Sequence, residues 1–501
     1  MTLDPVSLSV MQSSLAGIAE EMGALLIRAA YSSNIKERRD CSTALFDRQG
    51  VMVAQAEHIP VHLGAMPEAV AAVMARSVEP DDVFAINDPY SGGTHLPDIT
   101  LVSPISMTEE IVGYAVTRAH HSDIGGMSAG SMPGDSRDVY QEGLIIPPVR
   151  LSDDVVDLIL ANSRTPEVRR GDLRAQVAAN RLAQKRLTEL VKRRGRATVE
   201  SAFDAVVAYA ERRTRDALSG LPDGTYRATG EIEGDGTTDE DIPIAVRIDI
   251  SGDEMVIDFA GTADASAGNV NCPLSVTRSA CYFAVRVLIP NDVPANGGAY
   301  RPITIRAPEG SLVNATKPSA VVAGNVETSQ RIADTVLLAL SSAADLPAQG
   351  QGTMNNVVIG GGGWTYYETI GGGQGASSSG SGSSGIHVGM TNTLNTPIEA
   401  LELEFPLRVD RYELADESGG EGAHRGGDGI IRSVRALEPA TLSLLTDRRR
   451  HRPRGIDGGG DGARGRNLIN GESVPAKTSR VLDAGDIATV MTPGGGGWGR
   501  P

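Results

Sequence analysis

The chain has 501 residues, a formal charge of −17 and three cysteines. That length exceeds what one hydrophobic core usually serves, which predicts two or three domains. The acidic balance excludes a general nucleic-acid binder, because phosphate would be repelled. Three scattered cysteines without a CxxC exclude a disulfide scaffold and a cysteine-rich zinc module.

In chain order the first element is a helix. Leu8, Met11, Leu15, Ile18, Met22, Leu25 and Ala29 recur at three- and four-residue steps and share one face. The opening residues carry no basic stretch followed by a continuous apolar one, so no secretory signal is expected. No apolar run approaches the ~18 residues that span a bilayer. The expected location is cytoplasmic, without a membrane contact. "CSTALFDRQGVMVAQ" alternates about an Asp-Arg-Gln-Gly turn and predicts a hairpin over residues 41–55. Helical periodicity returns in "LRAQVAANRLAQKRLTELVKRRG" and "VESAFDAVVAYAERRTRDALSGL", with Gly195 as the break between them. Past residue 221 come strands ("TYRATGEIE", "IPIAVRIDI", "EMVIDFAGT"), then two helices near residues 276–288 and 327–342. After residue 351 glycine dominates, with short strands, and "GASSSGSGSSG" reads as a mobile surface loop. Helices and strands in separate blocks predict an α+β class of mixed helices and antiparallel sheets. The regions are 1–220 (metal site and helical pair), 221–350 (central α+β) and 351–501 (glycine-rich, mainly β).

Several familiar patterns carry little. "GSGSSG" and "GDGARG" fit G-x-G-x-x-G, but neither follows a strand and opens a helix. "GMSAG" fits the G-x-S-x-G elbow, yet Pro133 follows within a few residues where a helix is required. There is no G-x-x-x-x-G-K-[ST], so ATP is expected on another chain. The arginines of "DRRRHRPRG" read as a solvated face, with a small anion as the alternative.

Histidine placement is more informative. Five of eight fall between His58 and His121. "ITLVSPIS" and "IVGYAVTRA" alternate on either side of "MTEE", so antiparallel partners sum to about 217 and Asp98 faces Ala119 and His120. His95, Asp98 and His120 thereby converge at one hairpin end. Two imidazoles and a carboxylate suit a divalent ion with open positions; a hydrogen-bonded His–Asp cluster is the alternative. Adjacent strand residues face opposite ways, so only one of His120 and His121 serves the same ion easily. Asp40 is a candidate extra ligand or a partner for Arg38 or Arg39. His58 and His62 are interrupted by Pro60 and are placed as structural or pocket-lining groups.

"SSNIKERRDCSTALFDRQGVMVAQAEHIPVHLGAMP", "NDPYSGGTHLPDITLVSP", "AHHSDIGGMSAGSMPGDSRDVYQEGL", "AGNVETSQR" and "GMTNTLNTPIEALELEFPLRVDRYEL" together resemble the hydantoinase B family over nearly the whole chain. That family includes B-type subunits of N-methylhydantoinases, the matching half of oxoprolinases and a subunit of acetone-type carboxylases. The resemblance implies a larger A-type partner with an actin-like ATPase fold, carrying ATP and magnesium. It also implies one divalent metal held by His95, Asp98 and His120. Zinc or manganese is expected first, and Asp123 or His121, from "HHSDIGG", is expected to orient water or act as base. The implied activity is ATP-dependent hydrolysis of a cyclic amide such as a hydantoin, 5-oxoproline or another lactam. The alternative is an ATP-dependent acetone-type ketone carboxylase, and a scaffold that only stabilises the partner is the non-catalytic reading.

Overall fold

A computed structural model describes residues 3–501. The first helix, Pro5–Ala29, is capped by the Asp4 carboxylate, which accepts from the Val6 and Ser7 amides. Its buried stripe runs Met11, Leu15, Ile18, Met22, Leu26, so Leu26 rather than Leu25 continues the four-residue step. The expected hairpin is β1 (Cys41–Asp47) and β2 (Met52–Glu57). With β3 (Phe84–Ile86), β4 (Asp98–Met107), β5 (Glu110–His120) and β6 (Val149–Arg150) it forms one sheet, ordered β2-β1-β5-β4-β3-β6. Helices Pro166–Arg194 and Arg196–Leu218 meet at Gly195, whose φ of 87° ends the first.

Strand alternation divides this sheet's two faces between two cores. Cys41, Leu45, Ala115 and Ala119 pack with the long helices through Met22, Ala175, Ala179 and Phe203. Ala44, Phe46, Val102, Tyr114 and Val116 face the rest of the molecule. That second face shares its core with a sheet of β7 (Gly224–Glu233), β8 (Asp241–Ser251), β9 (Glu254–Asp258) and β10 (Ile303–Arg306), and with helices Leu274–Leu288 and Ser329–Leu340.

The remaining strands are β11 (Asn356–Gly361), β12 (Trp364–Thr369), β13 (Leu407–Ala415), β14 (Gly429–Ala436), β15 (Ala440–Leu445), β16 (Arg466–Ile469), β17 (Glu472–Ser473), β18 (Lys477–Leu482) and β19 (Ile487–Met491). They make two sheets, β12-β11-β15-β18 and β13-β14-β19-β16-β17. Val358, Tyr367 and Leu445 of the first of these join the central core. The class is α+β, with mixed helices and antiparallel sheets.

Much of the glycine-rich sequence is not strand. Extended glycine segments lie side by side and bond to different neighbours at successive residues: Gly495 N–H to Gly427 O, Gly496 to Gln349 O, Gly497 to Gly460 O, each within 2.9 Å. A Cβ on Gly375 would lie 1.8 Å from Ala348 O, and one on Gly495 2.0 Å from Gln374 O. Only glycine fits such a lattice, as at the crowded axis of collagen. The serine-glycine stretch belongs to it: Gly382 donates to Arg425 O, Gly385 to Asp428 O, and Ser384 Oγ accepts from the Asp428 amide. It is a tethered segment where a free loop was expected, because its backbone groups are paired. No helix among the described residues is long and apolar enough to cross a membrane.

Candidate metal centre

The loop before β4 is built to double back. Pro89–Ser91 forms a short turn ended by Gly92 at φ 104°. A Cβ on Gly93 would sit 2.2 Å from Asn87 O, which explains the glycine pair. The Asn87 side chain pins the loop by donating to Leu96 O and Leu144 O and accepting from the Ile146 amide.

β4 and β5 then bring the chemistry together. A bulge between Ile105 and Ser106 moves the partner sum from 217 near the turn to 218 beyond it, so Asp98 pairs directly with His120. Both belong to the face that carries Val102 and Val116. His95 Nε2 lies 3.1 Å from Asp98 Oδ1, His120 Nδ1 lies 3.1 Å from the same oxygen, and the two nitrogens are 3.2 Å apart. None of the three residues is more than 2% exposed. The other oxygen, Oδ2, accepts from Thr94 Oγ1 at 2.6 Å and faces His62 Nε2 at 3.4 Å.

Protons alone do not satisfy that triangle. Burial pushes the Asp98 carboxyl up, but the facing His95 charge and hydrogen bonds from His120, His62 and His95 outweigh it and hold it well below the usual range. With Asp98 ionised, each imidazole can donate to Oδ1, and the two donors then oppose each other at 3.2 Å. Removing either proton leaves a nitrogen lone pair against the carboxylate instead. A cation shared by all three relieves every edge. Ligands about 2.1 Å from one ion lie about 3.0 Å apart on an octahedral face and about 3.4 Å apart in a tetrahedron, which brackets the observed spacing. His120 is pushed below its ordinary pKa by burial, against the pull of Asp98 and Asp40, and neutral imidazole is the form that ligates. The residues present fit a divalent ion.

The other sequence candidates are placed as follows. Asp40 borders the triad: its carbonyl accepts from the His120 amide at 3.0 Å, and its Oδ2 is 3.9 Å from Arg38 Nη2. His62 reaches Asp98 and also bonds Ser42 Oγ at 3.0 Å through Nδ1. His58 is only partly buried, with its ring over Gly23. His121 points to the opposite face, where Nε2 meets Gln176 Oε1 at 2.9 Å; burial and Arg169 push it down to about 4. Asp123 is consumed by the Gly125, Gly130 and Arg164 amides and the Arg164 guanidinium. Neither His121 nor Asp123 is brought to the triad. The arginine run is divided: Arg448 is buried on Asp334 and the 449–451 amides bond Glu233, while Arg450, paired with Asp241, and Arg452 and Arg454 are exposed as expected.

Sequence spacing missed two neighbours. Tyr367 of β12 stacks on His120 with ring centroids 4.5 Å apart and a 20° tilt, and the Arg38 guanidinium covers its ring at 4.5 Å. Arg118, fully buried, donates to Thr100 Oγ1 and Gly92 O. Tyr367 lies in another sheet, and no local pattern announces it.

Two buried acids give the region a pH signature. Burial pushes the Glu142 carboxyl up to about 7, against hydrogen bonds from Val322, Val321 and Ser136. Burial and the Asp447 charge likewise push Glu327 up to about 7. The folded state therefore holds protons that the unfolded chain releases near its ordinary value of 4.5. Stability from each group is present below that value and falls as pH rises towards 7, by roughly 3 kcal/mol per group. Urea melts from pH 5 to 8 should show Glu142→Gln losing roughly 3 kcal/mol less than the wild type. Equal losses would mean that Glu142 is ionised throughout.

The fold and the buried His–Asp–His group define an α+β chain with a site suited to a divalent ion. The hydantoinase B/oxoprolinase family model matches residues 4–501, and the chain belongs to that family. It is 40% identical to an uncharacterized protein of Methanocaldococcus jannaschii, over 100% of this chain and 91% of that protein. It is 33% identical to a putative B-type D-/L-hydantoinase subunit of a Pseudomonas species, over 100% of this chain and 90% of that protein. With 5-oxoprolinase 1 of Arabidopsis thaliana it shares 37% identity, covering 99% of this chain and 42% of that protein. It thus spans about two-fifths of that oxoprolinase's length. Among solved structures, the ATP-dependent caprolactamase of Pseudomonas jessenii superposes with a TM-score of 0.93 at 28% identity, over 100% of this chain and 93% of the other. A nucleotide-free acetone carboxylase superposes at 0.90 and 19% identity, over 99% and 76%, and shares the fold.

Proposed function

We propose that this chain is the metal-binding subunit of an ATP-dependent cyclic amide hydrolase that works with an A-type ATPase subunit. The observation that carries this reading is the triangle of His95, Asp98 and His120, in a chain whose relatives are named as oxoprolinases, a hydantoinase subunit and a caprolactamase. A lactam is a poor electrophile, and phosphorylation of its amide oxygen by the partner makes it reactive. A divalent ion at the triad supplies Lewis acidity and a nucleophile usable at neutral pH. Asp98 ties the two imidazoles together through one oxygen, and Thr94 holds the other oxygen so that the carboxylate cannot rotate. Arg118 fixes the loop through Gly92 O, and Asp40 takes the His120 amide.

The reconstituted pair, screened against caprolactam, 5-oxoproline and hydantoin, should hydrolyse ATP only when a cyclic amide is present, and this chain alone should not turn over ATP. ATP turnover by the isolated chain, or elution of the two chains apart at micromolar concentration, counts against the reading. Bicarbonate-dependent turnover of a ketone would replace it with the carboxylase reading.

A further inference from the structure

A ligating histidine almost always donates its second ring N–H to a carboxylate or carbonyl, which fixes the ring. His120 lacks that support: its Nε2 is buried without a hydrogen-bond partner. Its ring is held by the stack on Tyr367 instead. Tyr367 is anchored in turn, since its hydroxyl donates to Asn356 Oδ1 at 2.7 Å. That contact requires the Asn356 amide to be turned one way, with Nδ2 towards Leu445 O at 3.2 Å and Glu327 Oε1 at 3.4 Å. Glu327 Oε1 also accepts from the Met354 amide at 3.1 Å. All four side chains of this line are buried.

Glu327 itself sits in an unusual turn. Residues Gly324–Thr328 form a π-type turn at the head of helix Ser329–Leu340. Such turns insert one residue into a helix and recur at functional sites. The turn is pressed against the neighbouring chain segment, since a Cβ on Gly324 would lie 1.8 Å from Asn271 O. A fully buried acid is costly, and packing alone would be served by an apolar residue.

We propose that Glu327 is a positioning residue for the metal centre: through Asn356 and Tyr367 it fixes the ring of His120. This rests on the reading that His95, Asp98 and His120 hold a divalent ion. If Glu327 acts through Tyr367, removing either end of the line loosens the same ring, and removing both adds nothing further.

The test is a double-mutant cycle on metal affinity, using the whole chain titrated with cobalt(II) and zinc. Glu327→Ala and Tyr367→Phe should each weaken binding about 10-fold, the lower end for groups that support a ligand, and should shift the cobalt(II) visible bands. The double variant should also lose about 10-fold, whereas independent effects would multiply to about 100-fold. Glu327→Gln keeps an acceptor at the same place and should bind like the wild type. Glu327→Leu, which fills the volume without the acceptor, replaces the alanine variant if that one does not fold. Val336→Ala, a cavity in the same helix, should lower the melting temperature and leave affinity and spectrum unchanged. Wild-type affinity in Glu327→Ala or its Glu327→Leu replacement, or losses that multiply, overturns the inference while leaving the metal reading intact. No metal uptake by the wild-type chain overturns both.

Discussion

Alanine at His95, Asp98 or His120 is expected to remove most of the bound metal while leaving the fold in place. Four-ligand structural zinc sites bind with about 10–16 kcal/mol, so one ligand accounts for roughly 3 kcal/mol, or about 100-fold in affinity. The sheet does not depend on the ion, because Leu101, Val102, Tyr114 and Val116 are buried against apolar neighbours on its two faces. Asp98→Ala should have the largest effect, since its Oδ1 touches both imidazoles. His58→Ala should keep a full complement, and His121→Ala should do the same because its ring faces Gln176. Elemental analysis of each variant beside its thermal melt decides the matter. If all three triad variants retained metal, the cluster would be a hydrogen-bonded one, and the frustrated triangle would have another resolution.

The second large effect lies in the glycine lattice. Gly375→Ala and Gly427→Ala would place a methyl carbon 1.8 Å and 1.9 Å from a backbone carbonyl oxygen, with no flexible side chain to yield. Each should cost more than about 4 kcal/mol, the range reserved for severe defects, and should leave little folded protein at physiological temperature. Gly362→Ala and Gly380→Ala meet nothing within 4 Å and should fold normally. Expression yield and urea midpoints of the four variants test this. A stable Gly375→Ala protein would show that the lattice can open without penalty.

The candidate site was legible wherever spacing along the chain implies geometry. The hairpin rule placed Asp98 opposite residues 119–120, and the structure pairs it with His120 through a bulge that shifts the register by one. Strand alternation separated His120 from His121, and the structure sends His121 to a helix on the far face. His121 and Asp123 are candidates only by their nearness in sequence to His120, and spatial placement gives both residues other partners.

Periodicity also determined the long helices, the first hairpin and the α+β class, because local hydrogen bonding and one-sided burial leave a repeating trace in sequence. The polyglycine packing left only an excess of glycine, since its bonds join segments far apart and have no period. The same holds for the Arg448–Arg450 pairs and the line from Glu327 through Asn356 and Tyr367 to His120. Each joins residues from different sheets and helices, whose meeting is set by how those elements pack together. A local pattern records which face a residue is on; only the tertiary structure decides what that face meets.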